Sequence, residues 1–291
     1  MADSLPGGLV LATQVARETE VRRSSNGVHF ATFGETGVAD LDLDRMLEAV
    51  PTTIVSALKA NTYYFVPLAL REPAQDLDAA SQRKADQPMV ARSYTEEFSD
   101  AAICHRNVEL GHGNRGIFIS TRLMGDRFAL CFEFFINVAH AFVDEAGVPA
   151  SFADLAWQQA VANVRGETSL DAWESRNLAF GRPANGEPEA QAPRRNRAAS
   201  QPQRSFAATL SAAANPAIDE REKTLFLEAG FSDAIAIYLL SLAMDFDYGE
   251  LREREYPLLA PAALAARLKL VAELFPPNAG YEFAVKYRRR A

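Results

Sequence analysis

Cysteine is nearly missing from this chain. Cys104 and Cys131 are the two in 291 residues, and they form no CxxC pair. A disulfide framework is excluded, and a reducing, cytoplasmic setting is expected. Histidine is scarce as well. His29, His105, His112 and His140 include no HxxxH or HExxH spacing. No single-helix metal motif exists, so neither a metal nor another cofactor is expected. Long apolar runs are lacking. The longest near the C-terminus, Ala234 to Met244, is far shorter than the ~20 residues of a membrane helix, so it is expected to be a buried helix with no membrane partner. The N-terminal stretch has no basic start and only a very short apolar run, so no signal peptide is expected. GxSxG, P-loop and Cys/His nucleophile signatures are missing too.

What is present reads as globular: 48% hydrophobic and 23% charged residues, enough for a sizeable core in one large domain or two. The net charge of −8 argues against a uniform coat of nucleic acid. Basic residues are nonetheless grouped. Arg194, Arg195 and Arg197 sit in a Pro/Ala/Gln-rich stretch, and Arg288, Arg289 and Arg290 close the chain. These are two candidate docking points for a phosphate backbone or an acidic partner. Arg106, Arg115, Arg122 and Arg127 surround strand-like runs rich in phenylalanine, a composition compatible with a single-stranded nucleic-acid surface. Only five of the 30 basic residues are lysine, which a GC-rich genome explains more simply.

Along the chain, Asn26-Gly27 lies between two β-prone runs and predicts a hairpin. "ADLDLDRMLEAVP" predicts a helix stopped by Pro51, and "TTIVSALKA" a second one capped by Thr52 or Thr53. "NTYYFVPLALRE" predicts a strand that Pro67 pushes to an edge or a bulge. Residues 73–90 read as an exposed loop. "AAICHRNVEL" and "IFISTRL" predict two strands joined at "GHGNRG". From Ser151 the pattern turns helical, with Ser151 and Thr168 as caps, a linker over 181–214, and Asn215-Pro216 opening a long helix that Gly230 can divide. Another helix starts at Pro261. "YEFAVKY" alternates and predicts a strand returning to the sheet. The expected fold is α+β, an antiparallel sheet built mainly from the N-terminal half plus this returning strand, packed against helices from the second half. Residues 1–180 would form the sheet domain with its following helices, and 215–291 would pack on the same core.

One stretch, "CFEFFINVAHAFVDEAGVP", fits two templates. As a strand, Phe128, Leu130, Phe132, Phe134 and Ile136 share one face. As a helix, at ~100° per residue, Asp126, Glu133, Asn137, His140 and Asp144 fall on a narrow polar stripe. The preceding Gly125-Asp126 turn and the wealth of phenylalanine predict a strand to about Phe135, then a short helix ended by Gly147. His140 and Asp144 stay together on that helix, and a carboxylate one turn from an imidazole suits a general base. Glu133 completes the candidate catalytic set.

"GHGNRG" matches GxGxxG, but a strand rather than a helix follows, so a hairpin is expected. "DFDYGE" fails the calcium-loop pattern, with Gly249, Glu250 and Tyr256 at positions 5, 6 and 12. The function expected first is a non-catalytic subunit of a cytoplasmic assembly, meeting a protein partner, a second copy, RNA or single-stranded DNA. The alternatives are a metal- or His/carboxylate-dependent enzyme centred on His140, and a small-molecule binding module.

Overall fold

The computed structural model describes residues 8–71, 88–184, 218–251 and 256–285. Arg194, Arg195, Arg197 and Arg288 to Arg290 lie outside them, as does the expected linker beyond residue 184.

The chain is α+β, with two sheets packed against helices. The larger sheet holds β2 (Arg22–Arg23), β3 (His29–Thr32), β4 (Asn61–Val66), β8 (His105–Gly111) and β9 (Asn114–Ser120), in the order β2-β3-β4-β9-β8. Its outer pairs, β2/β3 and β8/β9, are the expected antiparallel hairpins. Its centre differs from the expectation, because β3/β4 and β4/β9 are parallel. The reason lies in the connection. Between β3 and β4 run α2 (Asp40–Glu48) and α3 (Thr52–Val55), and a helical crossover returns the next strand in the same direction. The smaller sheet is antiparallel throughout: β1 (Leu9–Leu11), β6 (Met89–Ala91), β5 (Leu68–Leu70) and β7 (Ala102–Ile103), in that order.

The alternation of β4 organises the layers. Tyr63 and Phe65 face the main core with the large helices, while Tyr64 and Val66 face a second core with α1 (Ala12–Glu18), β1 and β6. A strand buried on both sides reads as a continuous apolar run, as "YYFV" does. Pro67 does not mark an edge. It is the single residue between β4 and β5, where the chain leaves one sheet for the other, so no ladder bond needs its missing N–H. The β8–β9 loop is a two-residue turn, His112 and Gly113, with φ of 54° and 78°. The glycine-rich motif is thus a hairpin, as expected.

The ambiguous stretch is one helix, α5 (Arg127–Ala146, after the short α4, Glu96–Ser99), with no strand-to-helix break. The Asp126 side chain accepts from the Ala129 N–H at 2.7 Å, so the expected turn is an N-cap. Phe134, Phe135 and Phe142 are core and Phe128 and Phe132 are partly buried, because most sides of α5 are covered, and a helix this apolar also satisfies a period of two. Three helices follow: α6 (Ala150–Val161), α7 (Leu170–Ala179) and α8 (Glu220–Ala243), with α9 (Pro261–Leu274) after the short 3-10 turn Tyr248–Leu251. Pro149 rather than Ser151 precedes α6, and Ser169 rather than Thr168 caps α7. Helix α8 runs unbroken through Gly230, where a β-carbon would come within 3.3 Å of Arg267 Nη1. By length and composition α8 is apolar enough to cross a membrane, but 67% of that window is buried inside the protein.

Residues 281–285 form no strand. Their apolar side chains are taken by helices instead. The Phe283 ring meets Tyr238 of α8 at 5.3 Å, and Tyr281 Oη donates to the Arg45 carbonyl at 3.0 Å. Asn278 sets this path. Its amide donates to the carbonyl of Glu48 (2.9 Å), left open at the end of α2, and to that of Val50 (2.8 Å), which Asn26 Nδ2 also reaches at 2.6 Å, and its oxygen accepts from the Thr52 N–H at 3.0 Å. Asn278→Ala should therefore lower unfolding free energy by about 1–3 kcal/mol, read from the urea midpoint. An unchanged midpoint would mean that the C-terminal segment is not anchored there.

Candidate functional site

On α5, Phe128, Phe132, Ile136 and His140 follow one another at intervals of four and form a ridge. This ridge is one wall of a cavity of about 340 Å³. The opposite walls come from Thr168, Ser169 and Asp171 at the start of α7, Asp233 and Ile237 of α8, and Leu251 and Tyr256. His140 and Asp171 also border an adjoining cavity of about 620 Å³, together with Asp144, Glu174 and Glu228. His140 thus stands where the two spaces meet, exposed at their common rim.

Burial pushes the His140 pKa below the ordinary imidazole value. Asp144, Asp171 and Glu133 pull it upward without prevailing, and His105 adds to the fall. The ring is therefore mostly neutral at pH 7 and can accept a proton. Asp233 is 7% exposed, and burial pushes its carboxyl up to about 6. Hydrogen bonds from Ser169 and Thr168 (2.7 Å from Thr168 Oγ1) and the Arg267 charge oppose that rise, while Glu167 adds to it. Two proton-handling groups in one apolar-walled space, both shifted towards neutrality by lost water, are the usual ingredients of acid–base work.

Behind Asp233 lies a buried charge centre. Glu167 Oε1 takes Arg176 Nη1 at 2.9 Å, and Glu167 Oε2 takes Arg267 Nη1 at 3.0 Å. Arg267 Nε donates to Gln159 Oε1 at 2.8 Å, and Arg176 Nη1 donates to the Gly166 carbonyl at 3.0 Å. Glu167 and Arg267 are wholly buried. Their charges rigidify the junction of α6, α7, α8 and α9 and set the field at the floor of the cleft.

Of the candidate catalytic residues, His140 and Asp144 share the cleft and Glu133 does not line it. Glu133 Oε1 bonds His105 Nδ1 of β8 at 2.6 Å and accepts from Asn137 Nδ2 at 3.1 Å. Asp171 and Asp233 had no place in that set, and both border the cleft. The candidate arginines do not form one surface. Arg115 pairs with Glu109 at 3.3 Å and approaches Asp144 at 3.7 Å, while Arg127 pairs with Asp42 at 3.1 Å. Arg106 is half-buried on β8. Arg122 lies beyond the far end of β9 from Arg115, on the order of 20 Å away at ~3.3 Å per strand residue. Among the described residues, no group of three His, Cys, Asp or Glu side chains is placed to hold a metal ion. No protein-family model, curated protein or solved structure matches the chain.

Proposed function

We propose that this chain binds a small organic molecule between α5, α7 and α8 and acts on it by acid–base chemistry. The observation that carries this reading is the meeting of His140, Asp171 and Asp233, from three separate helices, around one cavity with an apolar wall. A volume of about 340 Å³ suits a single small ligand. In this reading neutral His140 takes a proton at the rim, and Asp233 exchanges one at the floor. Asp171 orients the ligand or the imidazole. For the reading of an assembly subunit contacting RNA or single-stranded DNA, the described residues add no support.

The test is a thermal-shift panel of small metabolites on the full chain, repeated on His140→Ala and Asp171→Asn. Both positions are exposed, so each variant should stay within ~0.5 kcal/mol of the parent stability. A ligand present at 100 times its Kd should add about 2.7 kcal/mol to the parent chain and clearly less to either variant. Hits should also turn over by NMR, more slowly with His140→Ala. If no compound shifts the parent chain, or every shift persists in both variants, the cleft is not the site. Hits that bind but never change remove the chemistry and leave a binding module.

A further inference from the structure

We infer that the cleft takes an organic cation, a small amine carrying an apolar body. This rests on the reading of the cleft as a small-molecule site and adds the charge and shape of what fills it.

Three observations converge. Asp171 and Asp233 border the inner cavity, and Asp144, Glu174 and Glu228 extend the same sign of charge into the outer one. Among the described residues, no lysine or arginine borders either space. Arg115 answers Asp144 in part at 3.7 Å, and Arg267 answers Asp233 from behind, which leaves Asp171, Glu174 and Glu228 facing the opening. A phosphate or carboxylate entering there would shed its water among like charges, with hydroxyls but no lysine or arginine among the described lining residues to replace it. An ammonium would shed its water against carboxylate oxygens, which are its natural acceptors.

The second observation is the wall. The Phe128 and Phe132 rings stack, with centroids 6.4 Å apart and 5° between planes, and both stay partly exposed. With Ile136 they offer an apolar strip beside the carboxylates, and aromatic faces attract both an apolar body and a nearby cation. The third is His140 at the junction. A neutral imidazole has a free acceptor nitrogen and can take one ammonium proton in a hydrogen bond, as a lysine or arginine in that place could not. The pose follows: the apolar body lies along Phe128, Phe132 and Ile136, and the ammonium lies between Asp171, Asp233 and His140.

Three probes of one shape separate the terms: 2-phenylethylammonium, neutral 2-phenylethanol and anionic 3-phenylpropionate. Each is titrated into the full chain at pH 7.5 by calorimetry, with saturation-transfer NMR as a second readout. The ammonium should bind at least about tenfold tighter than the alcohol, with the carboxylate weakest. Asp171→Asn should weaken the ammonium by about three- to fivefold and leave the alcohol unchanged. Phe132→Leu should weaken both, the ammonium more. Equal binding of alcohol and ammonium would overturn the charge inference while the cleft remains a small-molecule site. Preference for the carboxylate would overturn it too. Ammonium binding insensitive to both variants would place the amine elsewhere and end the inference. If none of the three binds, the amine inference fails, while the metabolite panel judges the cleft by itself.

Discussion

Glu167→Ala should leave most of the protein unfolded at 25 °C. The substitution removes the acceptor shared by Arg176 and Arg267, which are 3% and 0% exposed. Two guanidinium groups would then lose the buried carboxylate that bridges them, leaving Asp233, among the described residues, as the one acidic group acting on Arg267 and none in its place for Arg176. Breaking one buried pair costs about 3–5 kcal/mol, and two are broken here. A typical net stability is ~5–15 kcal/mol. Far-UV circular dichroism through a urea titration is the measurement. Arg267→Met is the companion variant. It keeps the Glu167–Arg176 bond and fills the same space with an apolar chain, so it should cost clearly less. A loss below ~1 kcal/mol for Glu167→Ala would mean that water reaches the arginines.

Asp233→Asn should do the reverse and stabilise the protein above pH 6. The folded carboxyl titrates at about 6, above its ordinary 3.8, so the folded state holds the proton more tightly than the unfolded chain does. The penalty for Asp233 is small below pH 4, grows as pH rises towards 6, and is complete above that. Two pKa units correspond to about 3 kcal/mol. Asparagine keeps an oxygen for the Thr168 hydroxyl and carries no charge. The melting temperature of the variant should therefore exceed the parent's at pH 7–8, with the gap closing near pH 4. A variant less stable at every pH would show that the carboxylate is not penalised. The same variant should lose amine binding, a combination that a purely structural aspartate would not give. Stability surrendered at one buried carboxylate is in keeping with the proposed site.

Much of the fold is legible in the sequence. The Asn26-Gly27 and His112-Gly113 turns, the α2 helix before Pro51 and the start of α9 at Pro261 are all local, and local chemistry decides them. The α5 stretch reads as a strand because its phenylalanines satisfy two periods at once, and the cap on Asp126 resembles a turn until a helix follows it. The parallel pairing of β3, β4 and β9 depends on register between distant segments, which periodicity does not encode. Half of the site was visible, since His140 and Asp144 lie one turn apart. Asp233 is the lone charge in the apolar run "SDAIAIYLL", and Arg267 shares the run "ALAARLKL" with Lys269, so only the first stands out in the sequence. Their partners were out of reach, because Thr168 is 65 residues from Asp233 and Glu167 is 100 from Arg267.

The bond between His105 and Glu133 joins the rim of the sheet to the helix that carries the ridge. Each residue of slip along α5 would turn it by ~100°. A single step would swing Phe132 and His140 out of the cleft and bring core side chains into it. The contact between β8 and Glu133, two turns before His140, therefore works as an indexing pin. The hairpin reinforces the rotational phase that the buried side chains of α5 set, and a strand that lines neither cavity helps fix which side chains border them.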